Sequence, residues 1–292
     1  MLAKRRNLLN GLLFISPWVI GFLVFTTYPL LSSLYYSLTE YNAISEPIFV
    51  GLQNYKELLF QDDLFIKGLS NTLYMVFVGL TITTVTTIFI AVLLNYKHIK
   101  GMSFFRVIFF LPTLVPLVIL SILWIWILQP DSGVVNSFLG LFGIEGPGWF
   151  SSPTWAKPAF ILMAIWGSGG MIIIYLAGLQ GISDSLYEAA RIDGANSFQQ
   201  FFHITLPMLK PVILYNVITG IIGVFQAFAE AFIITQGGPD GSTTFYSLYL
   251  YQNAFQYSKM GYASAMAWIL LVIALIIMFA LFKLSKKWGY NG

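Results

Sequence analysis

The chain predicts an all-α membrane protein of six transmembrane helices, and three observations carry that expectation. Of its 292 residues, 58% are hydrophobic and only 9% are charged, against about 25% charged in a soluble domain. Mean hydropathy is +0.78. Six stretches are long and apolar enough to approach the roughly 20 residues that a helix needs to cross the hydrocarbon core. Aromatic residues make up 17%, in keeping with the preference of Trp and Tyr for membrane interfaces.

The first span falls within residues 8–38, an uncharged run longer than one crossing needs. Pro17 and Pro29 are expected to kink or end a helix inside it. Three basic residues, Lys4, Arg5 and Arg6, precede this run as they would in a secretory signal. The run is too long for a signal h-region and no clear small-residue cleavage site follows, so a retained span is expected. The remaining spans are predicted near Leu69–Leu94, Val107–Leu128, Pro158–Leu179, Pro211–Ile234 and Tyr262–Leu284. One membrane domain, 1–292, accounts for the chain, with the first span peripheral and a core over 69–284.

Orientation follows from the basic residues. With both termini cytoplasmic, Lys4, Arg5, Arg6, Lys97, Lys100, Arg106, Arg191, Lys210, Lys283, Lys286 and Lys287 fall inside. Lys56, Lys67, Lys157 and Lys259 fall outside. The net charge of +3 is therefore topological and implies no nucleic-acid partner. The absence of cysteine removes disulfides, thiolate metal sites and a cysteine nucleophile. His98 and His203 stand far apart, leaving little from which to build a metal site. No G-x-x-x-x-G-K-[ST] is present, and no Ser–His–Asp or paired-carboxylate arrangement can be argued. Neither catalysis nor ATP binding is expected of this chain, so energy for any transport must come from elsewhere.

The loop over 181–211, between spans four and five, is too apolar for an idle tether. Ser185-x-x-Glu188 and Ser197-x-x-Gln200 have the spacing of capping boxes. They predict one short helix over 186–193 and a second running through Phe201 and Phe202. Gly194 suits the left-handed residue that ends a helix. Pro207 and Pro211 mark the junction with span five. Ala189 and Ala190 leave a flat surface, rimmed by Arg191 and Asp193. On its residues alone the loop reads as a well-capped connector packed on its own protein, with a docking element as the alternative.

Within span five, Asn216, Thr219, Gly223, Gln226 and Glu230 recur at spacings of three and four, which puts them on one helix face. Phe225 and Phe228 flank that face. An ionisable residue within a span is a functional candidate, and the stripe reads as a hydrophilic wall of a path. It also reads as helix–helix glue, since Gly220 and Gly223 admit a close neighbour and Asn216 and Gln226 can bond across it. The threonines at 81, 83, 84, 86 and 87 in span two are expected to bond their own backbone. Gly167, Ser168, Gly169 and Gly170 should loosen span four, and Pro112 and Pro116 should kink span three.

The loop from Glu188 resembles the EAA motif of ABC importer permeases, E-A-A-x3-G-x9-I-x-L-P. Glu188, Ala189, Ala190, Gly194, Ile204, Leu206 and Pro207 occupy its fixed positions. Along nearly the whole chain the sequence resembles the carbohydrate-uptake group of those permeases. Val50 to Tyr55, Asn71-Thr72, Phe105-Arg106, Leu111-Pro112, Pro116, Trp124, Trp126, Gly133, Asn136, Trp149, Ala177 to Gln180 and Thr235 to Pro239 carry the likeness. Departures are Ser183 for a proline, Glu230 for an aspartate and Gln236 for a glycine.

The resemblance implies a type I ABC importer permease fold in a bacterial or archaeal cytoplasmic membrane, multi-pass among lipid. It implies alternating access in an importer of carbohydrate, with oligosaccharide the expected cargo. Glu188 to Gly194 would dock in a cleft of an ATPase subunit, and span five would line the path. Expected partners are a second, different permease subunit, two ATPase subunits carrying ATP and Mg, and an extracytoplasmic sugar-binding protein docking near Gly237, Gly238 and Pro239. Rivals are an ABC permease for another solute, an ATP-independent transporter, for which Glu230 is the one intramembrane carboxylate, and a non-transport scaffold.

Overall fold

The computed structural model describes residues 2–96 and 101–287, with side chains over 11–96 and 101–285. Lys97, His98 and Lys100 lie outside the described residues, as do the side chains of Lys4, Arg5, Arg6, Lys286 and Lys287. Nearly all of the described chain is helical. A two-residue hairpin, Thr39–Glu40 paired antiparallel with Ile48–Phe49, is the exception to the all-α expectation.

Among the described residues, four helices are long and apolar enough to cross a membrane: Gly11–Ser37, Asp63–Leu94, Ser197–Ile234 and Met260–Ser285. Two further spans are bent pairs. Met102–Leu114 meets Leu117–Ile127 at 105°, and Pro153–Trp166 meets Gly169–Gln180 at 50°. If each pair is one span, six cross.

The bends arise where the residues expect them. Val115 is extended (φ −78, ψ 126) because Pro116 disfavours a helical residue before it. Gly167 and Ser168 separate the two halves of span four. In the first span neither proline ends the helix. Pro17 lies inside Leu2–Phe22. A π-helical turn, Leu23–Thr27, opens the ladder ahead of Pro29, with the Tyr28 N–H donating to the Leu23 carbonyl. Such a turn relieves the backbone where proline lacks its donor. Span two begins earlier than expected, at Asp63, and carries a π-helical turn at Met75–Gly79. Its threonines largely bond their own helix, through Thr81 to Phe77, Thr83 to Gly79 and Thr87 to Thr83.

The chain forms two compact units, Met1–Asp62 with Leu250–Val272, and Asp63–Tyr249 with Ile273–Gly292. In the first, Asn54 donates to the carbonyls of Ser37 and Thr39, each at 2.9 Å. Tyr262 donates to Asp62 at 2.6 Å and Trp268 to Ser33 at 3.2 Å. Gly261 is required there, because a Cβ would lie 2.0 Å from the Thr39 carbonyl oxygen. The second unit has two apolar clusters. One gathers Ile88, Ala91, Ile172, Tyr175, Leu179 and Leu209. The other gathers Leu120, Trp124, Phe160, Ala231, Phe245 and Leu248. Outward faces of the spans are apolar, as at Phe77, Val85, Phe89, Ile276 and Phe279, which suits a lipid solvent.

Candidate functional site

The loop between spans four and five folds as a bent pair of helical segments, but its caps differ from expectation. The first helix is Asp184–Ile192, with Ser183 at the N-cap in extended conformation. Ser185 therefore lies inside the first turn and forms no capping box with Glu188. Its hydroxyl pairs with that of Ser183 at 2.8 Å. Asp184 takes over at this end, a carboxylate in the first turn where the helix dipole favours it.

Gly194 does what the sequence requires, with φ +80. The Ala195 N–H donates to Ala190 at 2.8 Å and the Gly194 N–H to Arg191 at 3.1 Å, the two bonds of a Schellman end. The second capping box is real but one residue earlier. Asn196 accepts from the Gln199 N–H at 2.9 Å while the Gln199 side chain accepts from the Asn196 N–H at 2.8 Å. Gln200 instead donates to the Ala195 carbonyl at 2.9 Å. The second segment is no separate helix. Ser197–Gln200 runs through a π-helical turn, Phe201–Thr205, straight into Leu206–Phe225. Pro207 is tolerated in the first turn of that helix.

Glu188, Ala189, Arg191, Asp193 and Gly194 are exposed, while Ala190, Leu206 and Pro207 are half-buried. Ile204 is half-buried against the first apolar cluster together with Tyr187 and Phe201. Ala190, Asp193, Gly194 and Ile204 meet Ala195, Gln199, Gln200 and His203 around a notch of about 360 Å³.

Span five does not carry one continuous polar face. Its helix ends at Phe225, with Gln226 as C-cap, and resumes as Ala229–Ile234. Asn216 is buried (1% exposed). Thr219 bonds its own helix at Tyr215 and Asn216. Phe225 is buried, and Phe228 stacks on Phe232 at 5.3 Å. Gln226 is exposed. Of the predicted stripe, Gly223 and Glu230 reach a cavity of about 490 Å³, whose walls include Met75, Thr83, Phe160, Ser168, Gly170 and Ala227. The stripe is thus divided among packing, cavity and open surface.

The segment after span five is tightly held. Gly237 is buried at φ +93, and a Cβ there would lie 2.7 Å from the Thr244 hydroxyl. Thr243 donates to Gly238 at 2.7 Å and Thr244 to Gly237 at 3.1 Å. Asn71 donates to the carbonyls of Gly241 and Thr244, and the Thr72 hydroxyl accepts from the Tyr246 N–H. Pro239 is half-buried; Gln236 and Asp240 are exposed. A second bracket unites Asn136, which donates to Pro130 and Pro147, with Trp149, which donates to Asn136 at 2.7 Å. Among the described residues, no group of three or more His, Asp or Glu could hold a metal ion.

Residues 83–289 match the family described as the binding-protein-dependent transport system inner membrane component. The chain belongs to that family. This ABC transporter permease is 43% identical to the probable ABC transporter permease protein YesP of Bacillus subtilis (strain 168), over 97% of this chain and 93% of that one. It is 37% identical to the lactose transport system permease protein LacF of Rhizobium radiobacter, over 97% and 96%. Among solved structures it is similar to a chain of the bacterial alginate ABC transporter in complex with an alginate pentasaccharide-bound periplasmic protein. There the TM-score is 0.84 and the identity 28%, covering 99% of this permease and 97% of that chain.

Sequence reasoning missed several residues that shape the permease's loop. Tyr187 and Thr205 join the two segments through their hydroxyls at 2.9 Å. Ile192 (87% exposed) and Phe198 (72% exposed) put apolar surface on the loop's outside, with Leu186 and Phe202. The signal was present in the loop's apolar content, since large apolar residues among exposed charges mark an interaction surface.

Proposed function

We propose that this chain is the membrane-spanning permease subunit of an ATP-driven carbohydrate importer, with oligosaccharide as its cargo. Six spans lie in a bacterial or archaeal cytoplasmic membrane with both termini inside. The 181–211 loop, on the basic side, docks in a cleft of an ATPase subunit. Two such subunits bind ATP and Mg, and this chain supplies no catalytic group. A second, different permease subunit completes the path. A sugar-binding protein delivers cargo on the outside, near the braced Gly237–Pro239 segment. Nucleotide drives alternating access through its different affinity for the two states.

The observation that carries the proposal is the loop itself: a Schellman-ended helix braced by Tyr187–Thr205, with exposed apolar residues and a notch between its segments. Support for carbohydrate comes from relatives named for lactose and arabinooligosaccharides and from the alginate transporter likeness.

Gly194→Pro tests the coupling. Proline holds φ near −65° and has no N–H, whereas Gly194 stands at φ +80 and donates to Arg191. The variant is expected to insert in the membrane, yet to lose cargo uptake while ATP hydrolysis no longer responds to the loaded binding protein. Full uptake in reconstituted vesicles would refute the docking role.

A further inference from the structure

Three buried polar groups in the second compact unit have no hydrogen-bond partner among the described residues: the Thr84 hydroxyl, the Tyr175 hydroxyl and Asn216 Nδ2. They come from three different helices, Leu80–Leu94, Gly169–Gln180 and Leu206–Phe225. Tyr175 is 0% exposed, Asn216 1% and Thr84 8%. A buried donor or acceptor without a partner costs stability, and lipid around a span offers no water to satisfy it. One such group is tolerable. Three at one place call for a common cause.

The packing around them shows that they meet. A Cβ on Gly220 would lie 2.5 Å from Leu80 Cδ1. Thr84 follows Leu80 by four and Asn216 precedes Gly220 by four, so each lies one turn along the same helix face. A Cβ on Gly178 would lie 2.9 Å from Leu209 Cδ2 and from Val212 Cγ2. Tyr175 precedes Gly178 by three and Asn216 follows Val212 by four, again one turn away. The Tyr175 hydroxyl lies against the side chains of Asn216 and Thr84, yet reaches hydrogen-bond geometry with neither. Around it stand Ile88, Ile172, Leu176 and Leu209 of the first apolar cluster. The groups suit one small guest, because Tyr175 and Asn216 Nδ2 can donate while the Thr84 oxygen accepts. Buried waters typically make about three bonds to groups otherwise unsatisfied.

We propose that Thr84, Tyr175 and Asn216 form an internal binding site for one ordered water molecule, which ties spans two, four and five together. The water oxygen accepts from the Tyr175 hydroxyl and from Asn216 Nδ2, and the water donates to Thr84 Oγ1. The sequence expects Asn216 to bond across a helix contact, and here it does so through water. Spans four and five are the two that the 181–211 loop joins, so the tie braces the pair on which that loop is mounted.

Pulsed X-ray radiolysis of the complete transporter, read by mass spectrometry, tests this. Radicals form from bound water as from bulk, so a fully buried tyrosine is oxidised only where an ordered water touches it. Tyr175 should be oxidised in the unaltered transporter. Oxidation should fall about ten-fold or more in Thr84→Val/Asn216→Leu, which removes two of the water's three partners. No oxidation of Tyr175 in the unaltered transporter would overturn the proposal. Equal oxidation in the double variant would do the same, since the radicals would then come from elsewhere. Should that variant fail to assemble, a density map of the unaltered transporter that shows ordered waters decides alone. A peak within hydrogen-bond reach of all three atoms is expected, and direct bonds among the three with no peak would overturn the site. Unfolding temperature gives an independent reading. Thr84→Val, Tyr175→Phe and Asn216→Leu should each lower it, and the triple variant should lower it by less than their sum, because one water is lost only once. In a dry site each substitution would instead relieve an orphan group and raise it, which would refute the water.

Discussion

Single residues fix the places where backbones come closest. Gly178 faces span five, and a Cβ on it would lie 2.9 Å from both Leu209 Cδ2 and Val212 Cγ2. Overfilling a packed contact typically costs about 1–3 kcal/mol. Gly178→Val should therefore lower the unfolding temperature in detergent, with Gly178→Ala milder because the leucine and valine tips can shift. Equal stability for the valine variant would mean that the two helices separate freely. Asn71 works through hydrogen bonds instead. It donates to Gly241 and Thr244 and accepts from Lys157 at 3.1 Å. Asn71→Ala takes the side-chain donor from the buried Thr244 carbonyl and leaves Gly241 with the Thr244 N–H at 3.3 Å, and a buried acceptor that loses its donor costs about 1–3 kcal/mol. Protease cleavage within residues 236–244 should become faster in the variant. An unchanged cleavage rate would show that the threonine bonds hold the segment alone.

At the scale of elements, the two ends of the 181–211 loop make opposite forecasts for similar substitutions. Asn196 caps the second segment, so Asn196→Ala should cost about 0.5–2 kcal/mol. Ser185 caps nothing, because the helix begins two residues earlier, so Ser185→Ala should be close to neutral. Hydrogen exchange of the loop amides distinguishes them: faster exchange over 197–200 in the first variant, little change over 184–188 in the second. The misplacement has a physical cause. The spacing S-x-x-E identifies a possible box, but extended geometry at Ser183 decides where the helix starts. Gly194 was legible because left-handed backbone favours one residue type strongly. The spans were legible because lipid permits few alternatives to long apolar helices. Their internal π-helical turns were not, since nothing local marks them apart from Pro29 and Pro207. The divided stripe on span five escaped notice for a related reason. Gln226, Ala227 and Phe228 include neither proline nor glycine, so the break there comes from tertiary packing, with Phe228 and Ala231 in the second apolar cluster.

On the scale of the whole molecule, the exposed apolar surface belongs to two solvents. Residues such as Phe77, Phe89 and Phe279 face outward from spans, where lipid makes exposure favourable. Ile192 and Phe198 lie on the polar loop instead, beside exposed Glu188, Arg191 and Asp193, and no bilayer could cover them without also covering those charges. Under the proposed docking, a protein partner would resolve the conflict, because burying a side chain of that size contributes about 1.5–3 kcal/mol while the charges remain at a polar rim. Ile192→Asp and Phe198→Asp should then leave the permease folded and inserted, as judged by its unfolding temperature in detergent. Together they should reduce the ATPase subunits that copurify by about ten-fold or more. The cap variant Asn196→Ala should weaken that association less, since it loosens the loop without removing its contact surface. If the doubly substituted permease retains its ATPase subunits in full, docking must rest on Glu188 to Gly194 alone, and the apolar residues have another partner.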